Sequence, residues 1–506
     1  MRNADGQRLP LKSTLLLGVA GMAAAAMSNS ALAADAAPSS TPAASPTPVT
    51  ANAPAASTAT PIPAPKWLPS VDIGGGVGSG FTVGRAEAFV PVWQDMDSLL
   101  FVRFGADTRT HYDGNFNLGL GYRTKVDSDW LIGVFAGVDS SHTDFSHTFK
   151  QYSLGAEAMS ADWDIRANAY FADHSSKPVT DSYELYIHDT TIAVLQAQEA
   201  ALSGFDGEVG YRVFNTDSTD VRVFAGGYSF HHSDVNTAGV GTTFSMPYKD
   251  ISGPKLRAEV NVFDIDALGA QSRLSLEGEV SHDNVNHTSA FIGATLRIAL
   301  DDTSGQGAQA LDELDRRMAD PVRRRDDILT QQQFNKPEPV IIYNGSITSH
   351  ATNTLYYAEQ RSGTGAGTYA DPTTLKDAAG RGPNNQFIVL TDKGGSSIDT
   401  TGTVVQTGET VTGAGTFKVR GTQSGQVFTH DFAPGSGAVS LTATSGPVIT
   451  IHGDASLSDF SITGPFDTAI YGSNVGDVEI KNVTIDGGGA GHDGIAIDQS
   501  DTDRNS

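Results

Sequence analysis

From Val71 to Leu300 the chain switches between apolar and polar residues with a period of two. Phe116, Leu118, Leu120 and Tyr122 alternate with Asn115, Asn117, Gly119, Gly121 and Arg123. Leu154, Ala156 and Ala158 alternate with Ser153, Gly155 and Glu157. Leu274, Leu276 and Val280 alternate with Arg273, Ser275, Glu277 and Glu279. Such a period makes a strand with two unlike faces. In segment after segment the polar face is charged and the apolar face is flat enough to meet lipid. That is the pattern of a transmembrane barrel with a wet interior rather than of a soluble sheet. It predicts an all-β fold with twelve strands, at 70–78, 82–92, 97–108, 115–124, 129–139, 150–159, 163–172, 201–214, 219–230, 251–265, 271–283 and 288–299. Bacterial barrels use even strand numbers of this kind.

The beginning of the chain agrees. Arg2, Arg8 and Lys12 accompany an apolar stretch at 15–27, and Ala31-Leu32-Ala33 offers a small-residue cleavage site. Residues 1–33 therefore read as a secretory signal peptide. The stretch is short of the roughly 18–20 apolar residues that a membrane helix needs, and no later segment is long enough either. With helices excluded, a closed barrel is the remaining way to satisfy a backbone in lipid. Residues 34–66 are almost entirely Ala, Pro, Ser and Thr; they cannot bury a core and read as a disordered periplasmic spacer. The 506 residues exceed one domain, and the absence of cysteine means that no disulfide holds the exported folds. A formal charge of -25 argues against a nucleic-acid partner, because phosphate binding needs clustered Lys and Arg.

Connections near 93–96, 125–128, 160–162 and 215–218 are short, and those at 110–114, 140–149, 173–200 and 231–250 are mostly longer. Periplasmic turns and outer loops of a barrel alternate in this way. Segment 184–200 ends in VLQAQEAAL, which has helical character, and is assigned to an outer loop. Trp93, Trp130 and Trp163 lie at the short-turn ends and Trp67 begins the first strand there, so the four predict an interfacial aromatic belt. The polar face carries Arg85, Glu87, Arg103, Arg123, Glu157, Asp164, Arg166, Glu208, Arg212, Arg222, Arg257, Glu259, Arg273, Glu277 and Glu279. Paired carboxylates can serve glycoside hydrolysis. Carboxylates spread over many strands and interleaved with arginines read instead as the lining of a hydrated lumen. His142, His147, His231 and His232 fall on outer loops without a third ligand at suitable spacing and read as surface histidines. No catalytic, cofactor or metal site is expected.

After the last strand, Leu311, Leu314, Met318 and Val322 recur at helical spacing, and Asp320-Pro321 can begin a second short helix. Arg316, Arg317, Arg323, Arg324 and Arg325 form a basic cluster. A barrel of even strand number ends on the side where it began, so whatever follows must thread the pore to reach the outside. Residues 301–339 read as a pore-threading helical linker. Its arginines are expected to plug the lumen against Glu157, Glu208, Glu259, Glu277 and Glu279. The runs NLGLGYR, WLIGVFAGVD, YSLGAEA and WDIRANAYF, followed by RRMADPVRRRDDI, resemble the β-domain of inverse autotransporters of the intimin and invasin type. The resemblance covers roughly 71–330. It implies a barrel at 67–300 that carries its own C-terminal passenger to the cell surface by type V secretion. It also implies partners: outer-membrane lipid, and the barrel-assembly machinery and periplasmic chaperones during export. Before the barrel stands only the spacer, where many members carry a peptidoglycan-binding LysM module, so cell-wall attachment is not implied. Immunoglobulin-like passenger repeats are missing too.

Residues 340–506 have another period. TGAGTYADPTTLKDAA followed by NNQFIVLTDKGG resembles the opening of a right-handed parallel β-helix. DFSITG at 459–464 aligns with NVTIDG at 482–487. Leu457, Phe460 and Ile462 match Ile480, Val483 and Ile485, and Ile449, Ile451, Ile470, Ile495 and Ile497 recur in matching places. A repeat of roughly 22–25 residues lies in the solenoid range, where each rung buries its inward residues only by stacking on its neighbours. The segment reads as a partial β-helix, a short or truncated passenger. Asp454, Asp459, Asp467, Asp477, Asp486, Asp493 and Asp498 lie in or near the rungs. Lyases and hydrolases on this fold use clustered aspartates, but acidic residues at rung corners are usually turns. GGGAGHDG is only a partial echo of a calcium-binding repeat. The expectation is an outer-membrane protein, spacer in the periplasm and passenger at the surface, displaying an adhesive passenger toward an unknown surface or host ligand. A surface carbohydrate-active enzyme and a diffusion porin are the alternatives.

Overall fold

A computed structural model describes residues 66–110, 112–232, 246–300, 311–382, 384–395, 397–487 and 492–498. The expected signal peptide and all but the last residue of the spacer lie outside these. The chain divides into two compact units. One comprises residues up to Ser175 with Ala200–Ser233 and Tyr248–Gln331; the other comprises Ser176–Glu199, Asp234–Pro247 and Gln332–Ser506.

The first unit is a closed barrel. Its strands begin with β1 (Ser70–Gly78), β2 (Phe81–Gln94), β3 (Ser98–Arg109), β4 (Tyr112–Lys125), β5 (Trp130–Thr143), β6 (Thr148–Ser160) and β7 (Trp163–Ala172). Two strands that belong to the other unit follow, β8 (Ser176–His188) and β9 (Thr191–Ala201). The barrel resumes with β10 (Ser203–Asn215), β11 (Thr219–His231), β12 (Ile251–Phe263), β13 (Arg273–Asp283) and β14 (His287–Ala299). Its twelve strands are antiparallel throughout; β7 pairs directly with β10, and β1 pairs with β14 from Ser70↔Ala299 to Gly78↔Phe291 to close the ring. Closure leaves no edge and satisfies every strand's backbone, as lipid demands.

The alternation sorts as its period requires. Phe116, Leu118, Leu120, Ile132, Val134, Leu154, Leu256 and Ile292 are exposed on the outside, Ile292 to 69%. Asn115, Arg123, Asp139, Glu157, Asp164 and Arg222 are buried on the inside. Two of the connections expected to be longer are tight: β4 starts at Tyr112, and β5 and β6 extend to Thr143 and from Thr148. Ser140, Ser141, His142 and Thr143 are polar on both faces, so this stretch of strand has the composition of a loop although it pairs to Thr148 and Phe149. No helix among the described residues is long and apolar enough to cross a membrane.

The second unit begins with a three-stranded sheet in the order β15–β9–β8, where β15 is Thr330–Glu338. The segment with helical character is thus strand β9. Its run of Ala, Leu and Gln favours a helix locally, but Ile192, Ala193, Val194, Leu195 and Ala197 are all fully buried, and burial on both faces of a central strand outweighs propensity. Parallel rungs follow. One sheet orders Leu355–Ala358, Phe387–Leu390, Glu409–Gly413 and Ala455–Gly464, with Val478–Gly487 paired to the last. A second orders Val404–Val405, Ile449–His452, Thr468–Ser473 and Asp493–Asp498. The pairings Leu457↔Ile480, Phe460↔Val483, Ile462↔Ile485, Ile449↔Ile470 and Ile470↔Ile495 are those of the sequence repeat. Asp459 and Asn482 occupy the same corner of successive rungs with φ of 62° and 53°, a left-handed conformation that Asp and Asn tolerate best among residues with a Cβ.

Two outcomes are expected of this unit. Ile462 is fully buried between rungs, so Ile462→Asp would bury an unpaired charge at a cost of about several kcal/mol. Residues after Val340 should then become protease-sensitive while the barrel keeps its heat-resistant mobility on gels; unchanged resistance would refute the stacked packing. Glu409 is also buried, with one carboxylate oxygen accepting the Gln406 N–H at 2.8 Å and the other unpartnered among the described residues. Burial pushes its carboxyl up from 4.5 to about 7, against that hydrogen bond. Between these values the folded state binds more protons than the unfolded one. The contribution of this group to stability is therefore fully present below pH 4.5 and is lost as pH rises to about 7, by on the order of 3 kcal/mol. Pulse proteolysis in urea at pH 5 and pH 8 should show this loss in the wild type and a flatter profile in Glu409→Gln.

Candidate functional site

The candidate site is the barrel interior and the chain that crosses it. After β14 and the undescribed residues 301–310, the chain enters the lumen with helix α1 (Glu313–Met318), capped by Asp312, whose carboxylate accepts the Asp315 N–H at 2.7 Å. Six residues are too few for a stable isolated helix, and the barrel wall completes this one. Its last carbonyls need partners. Asp315 O accepts from Trp67 Nε1 at 2.8 Å, Met318 O and Asp320 O accept from Arg123 at 2.8 and 2.6 Å, and Ala319 O accepts from Arg297. Met318 and Val322 pack with Phe89, Leu99, Phe101, Leu131, Phe135 and Met159, an apolar collar inside the rim where the short turns lie.

From Pro321 the chain is irregular, with bends at Arg324 and Asp327, so the second helix does not form. The reason is geometric: Arg323 and Arg324 reach opposing walls, and neighbouring residues of a helix could not. Arg323 pairs with Glu259 on β12 and, at 3.0 Å, with Glu277 on β13. Arg324 pairs with Asp139 on β5 at 2.6 Å and donates to Ser153 on β6 at 3.1 Å. Gly137 makes room for it: a Cβ there would lie 3.5 Å from the Arg324 guanidinium carbon and 2.7 Å from Ser153 Oγ. Asp327 takes Arg109 at 2.7 Å and Arg325 at 3.0 Å. Ile328 then packs among Phe149, Ala172 and Ala201 at the other rim, and Leu202 N donates to Leu329 O at 2.8 Å. Residues 311–329 thus cross the lumen from rim to rim.

The five arginines do not act alike. Arg317 pairs with Asp164 of the wall and Asp320 of its own segment. Arg316 stays near the rim, 3.5 Å from Asp264 and over the Phe263 ring. Arg325 folds onto Asp327 and Phe230. Of the carboxylates expected to meet them, Glu259 and Glu277 do. Glu157 instead takes Arg123 at 2.6 Å, and Glu208 takes Arg257 at 2.6 Å. Glu279 lines a remaining cavity of about 580 Å³ with Arg85, Asp107, Tyr228 and Arg325. Sequence reasoning missed Asp139, Asp320 and the inward aromatic residues. Asp139 has the inward parity of Leu131 and Phe135, so alternation alone could have placed it.

The aromatic belt needs one correction. Trp93 and Trp163 are 51% and 45% exposed, Trp163 against Tyr211, and Trp130 is half-buried. Trp67 is fully buried and faces the plug, because its indole N–H serves the open carbonyl of α1. His232 is also buried, its Nδ1 at 2.9 Å from Ala201 O and its ring against Tyr248, rather than a surface histidine. No group of three or more His, Asp or Glu placed to hold a metal ion occurs among the described residues.

A closed antiparallel barrel, apolar outside and crossed by its own downstream chain, is an outer-membrane barrel of the autotransporter type. The chain matches the inverse autotransporter β-domain over residues 66–326 and belongs to that family. Its place is the bacterial outer membrane. Among solved structures it is similar to a membrane protein from work on in-meso crystallization, at 14% identity and TM-score 0.38, covering 53% of this chain and 100% of that one. It is similar to the β-domain of the Bordetella autotransporter BrkA, at 13% identity and TM-score 0.25, covering 46% and 99%. It is similar to the NanC porin, at 12% identity and TM-score 0.26, covering 45% and 98%. At these values the likenesses carry no argument about function. No curated protein matches the chain.

The threaded segment should close the pore. Replacing Arg316, Arg317, Arg323, Arg324 and Arg325 with Ser should raise single-channel conductance in planar bilayers. Arg324→Ser alone leaves Asp139 buried without its cation, which costs about 3–5 kcal/mol of plug seating and should give intermittent openings. An equally conducting wild type would mean that the plug does not seal.

Proposed function

We propose that this chain is an intimin/invasin-type inverse autotransporter, which moves its C-terminal unit through its own barrel and displays it at the cell surface for adhesion. The observation that carries this is the segment at 311–329. A barrel that ends on the rim where it began, and whose following chain then crosses the whole lumen, has the geometry of a pore that has passed its own cargo. A diffusion porin has no use for such a crossing. In this reading the short-turn rim faces the periplasm, with the signal peptide removed and the spacer behind it. Barrel-assembly machinery and periplasmic chaperones serve the chain on its way.

The passenger is a right-handed β-helix in this reading, and its ligand is a surface or host molecule. Two of its rung aspartates serve structure. Asp459 receives Ser346, Asn344 and Asn482, and Asp454 accepts the Asp477 N–H at 2.7 Å. No observation favours the carbohydrate-active alternative.

Orientation is open to test on whole cells. Cysteine at Asp144, between β5 and β6, should react with an impermeant thiol reagent, and cysteine at Ser128, between β4 and β5, should not. An antibody against residues after Val340 should bind intact cells. Labelling only at position 128 would reverse the orientation and remove the export reading.

A further inference from the structure

The connection between β7 and β10 leaves the barrel wall as the β8–β9 hairpin, and that hairpin belongs to the C-terminal unit. Strand β9 is buried on both faces. Ile192 and Val194 join one core with Val340, Ile342, Leu355 and Phe387; Ala193 and Leu195 pack on the other side with Tyr186, Met246 and Phe334. Its outer end also holds the first parallel rung. Ile192 N donates to Asn353 O at 2.9 Å, and Leu355 N donates to Thr190 O at 2.9 Å. Leu355–Ala358 is the terminal strand of its parallel sheet. A stack of rungs exposes apolar residues and an unpaired edge at its first end, and needs a cap there. Here the cap comes from between two barrel strands.

The root of the hairpin is where the plug ends. Ala172 and Ala201 enclose Ile328, and Leu202 N bonds Leu329 O. The next residue, Thr330, begins β15, the neighbour of β9. The chain that leaves the lumen is therefore delivered onto β9 without an intervening loop.

We propose that the β8–β9 hairpin is the folding template of the passenger. The wall-borne hairpin offers β9 as an open edge; β15 adds to it as a strand, the augmentation by which sheets capture extended segments. Leu355–Ala358 then closes over Ile192 and Val194, and each later rung docks on the one before. Starting from a finished edge removes the slowest event of such a fold, the first non-local pairing. This rests on the export reading above.

The test uses the full-length chain in the outer membrane. Two variants are compared with the wild type: a short Gly-Ser turn in place of residues 176–201, and Val194→Asp. Val194→Ile serves as the conservative control. After a pulse of synthesis, protease is added to intact cells at intervals, and barrel folding is read separately from heat-modifiable mobility. In the wild type and Val194→Ile, resistance after Val340 should appear together with surface arrival. In the two disruptive variants the passenger should arrive yet gain resistance roughly tenfold more slowly. Wild-type kinetics in both disruptive variants would overturn the template. So would wild-type kinetics followed by a merely less stable end state, which would make the hairpin a static cap. A wild-type passenger that never reaches the surface would sink the export reading itself, and is distinguished by an antibody against residues after Val340 that then binds intact cells of none of the variants.

Discussion

A guanidinium that leaves water must meet a carboxylate or a carbonyl, and the interior of this barrel is arranged around that requirement. Arg324 and Asp139 are both almost fully withdrawn from solvent, and so are Arg317 and Asp164. Either partner alone would be a severe fault in the lumen. The wall and the plug are therefore mutually dependent: without Arg323, Glu259 and Glu277 would face each other across β12 and β13 with Arg257 and Arg85 as their remaining cations. Such pairs contribute little net stability compared with an apolar filling. What they do contribute is position, because Arg317, Arg323 and Arg324 each meet their own carboxylates on the wall.

Position is also what the apolar collar and the helix provide. Met318 and Val322 fill the narrow rim, while Trp67, Arg123 and Arg297 close off the carbonyls that a one-and-a-half-turn helix leaves open. The helix is thus a product of its socket rather than of its sequence. Beyond Pro321 the same logic disfavours a helix, which would aim Arg323 and Arg324 about 100° apart and could not reach both walls.

The barrel was readable because its signal is redundant: twelve strands repeat one parity rule, and an error in any one is corrected by its neighbours. The rung repeat was readable for the same reason, with Ile462 and Ile485 marking successive layers. What could not be read was decided by single partners far along the chain. Trp67 looks like a belt residue until Asp315 is placed beside it. VLQAQEAAL looks helical until Ile192 and Val194 are found under Leu355 and Phe387. The pairing of lumen carboxylates was only half legible. Alternation says which residues face inward, but not which of two nearby arginines, one from the wall and one from the plug, each will take.

These threads meet at Leu329. A one-residue slip of a strand exchanges its two faces, so the register in which β15 begins decides whether the residues after it bury or expose their apolar side chains. The lumen ion pairs fix that register from one side, by holding Arg323, Arg324 and Asp327 each to its own partner. The bond from Leu202 N to Leu329 O fixes it from the other, at the root of the hairpin. Plug contacts that add little stability of their own thus have a purpose that stability does not measure. They hold the segment that leads into β15 at one place in the lumen.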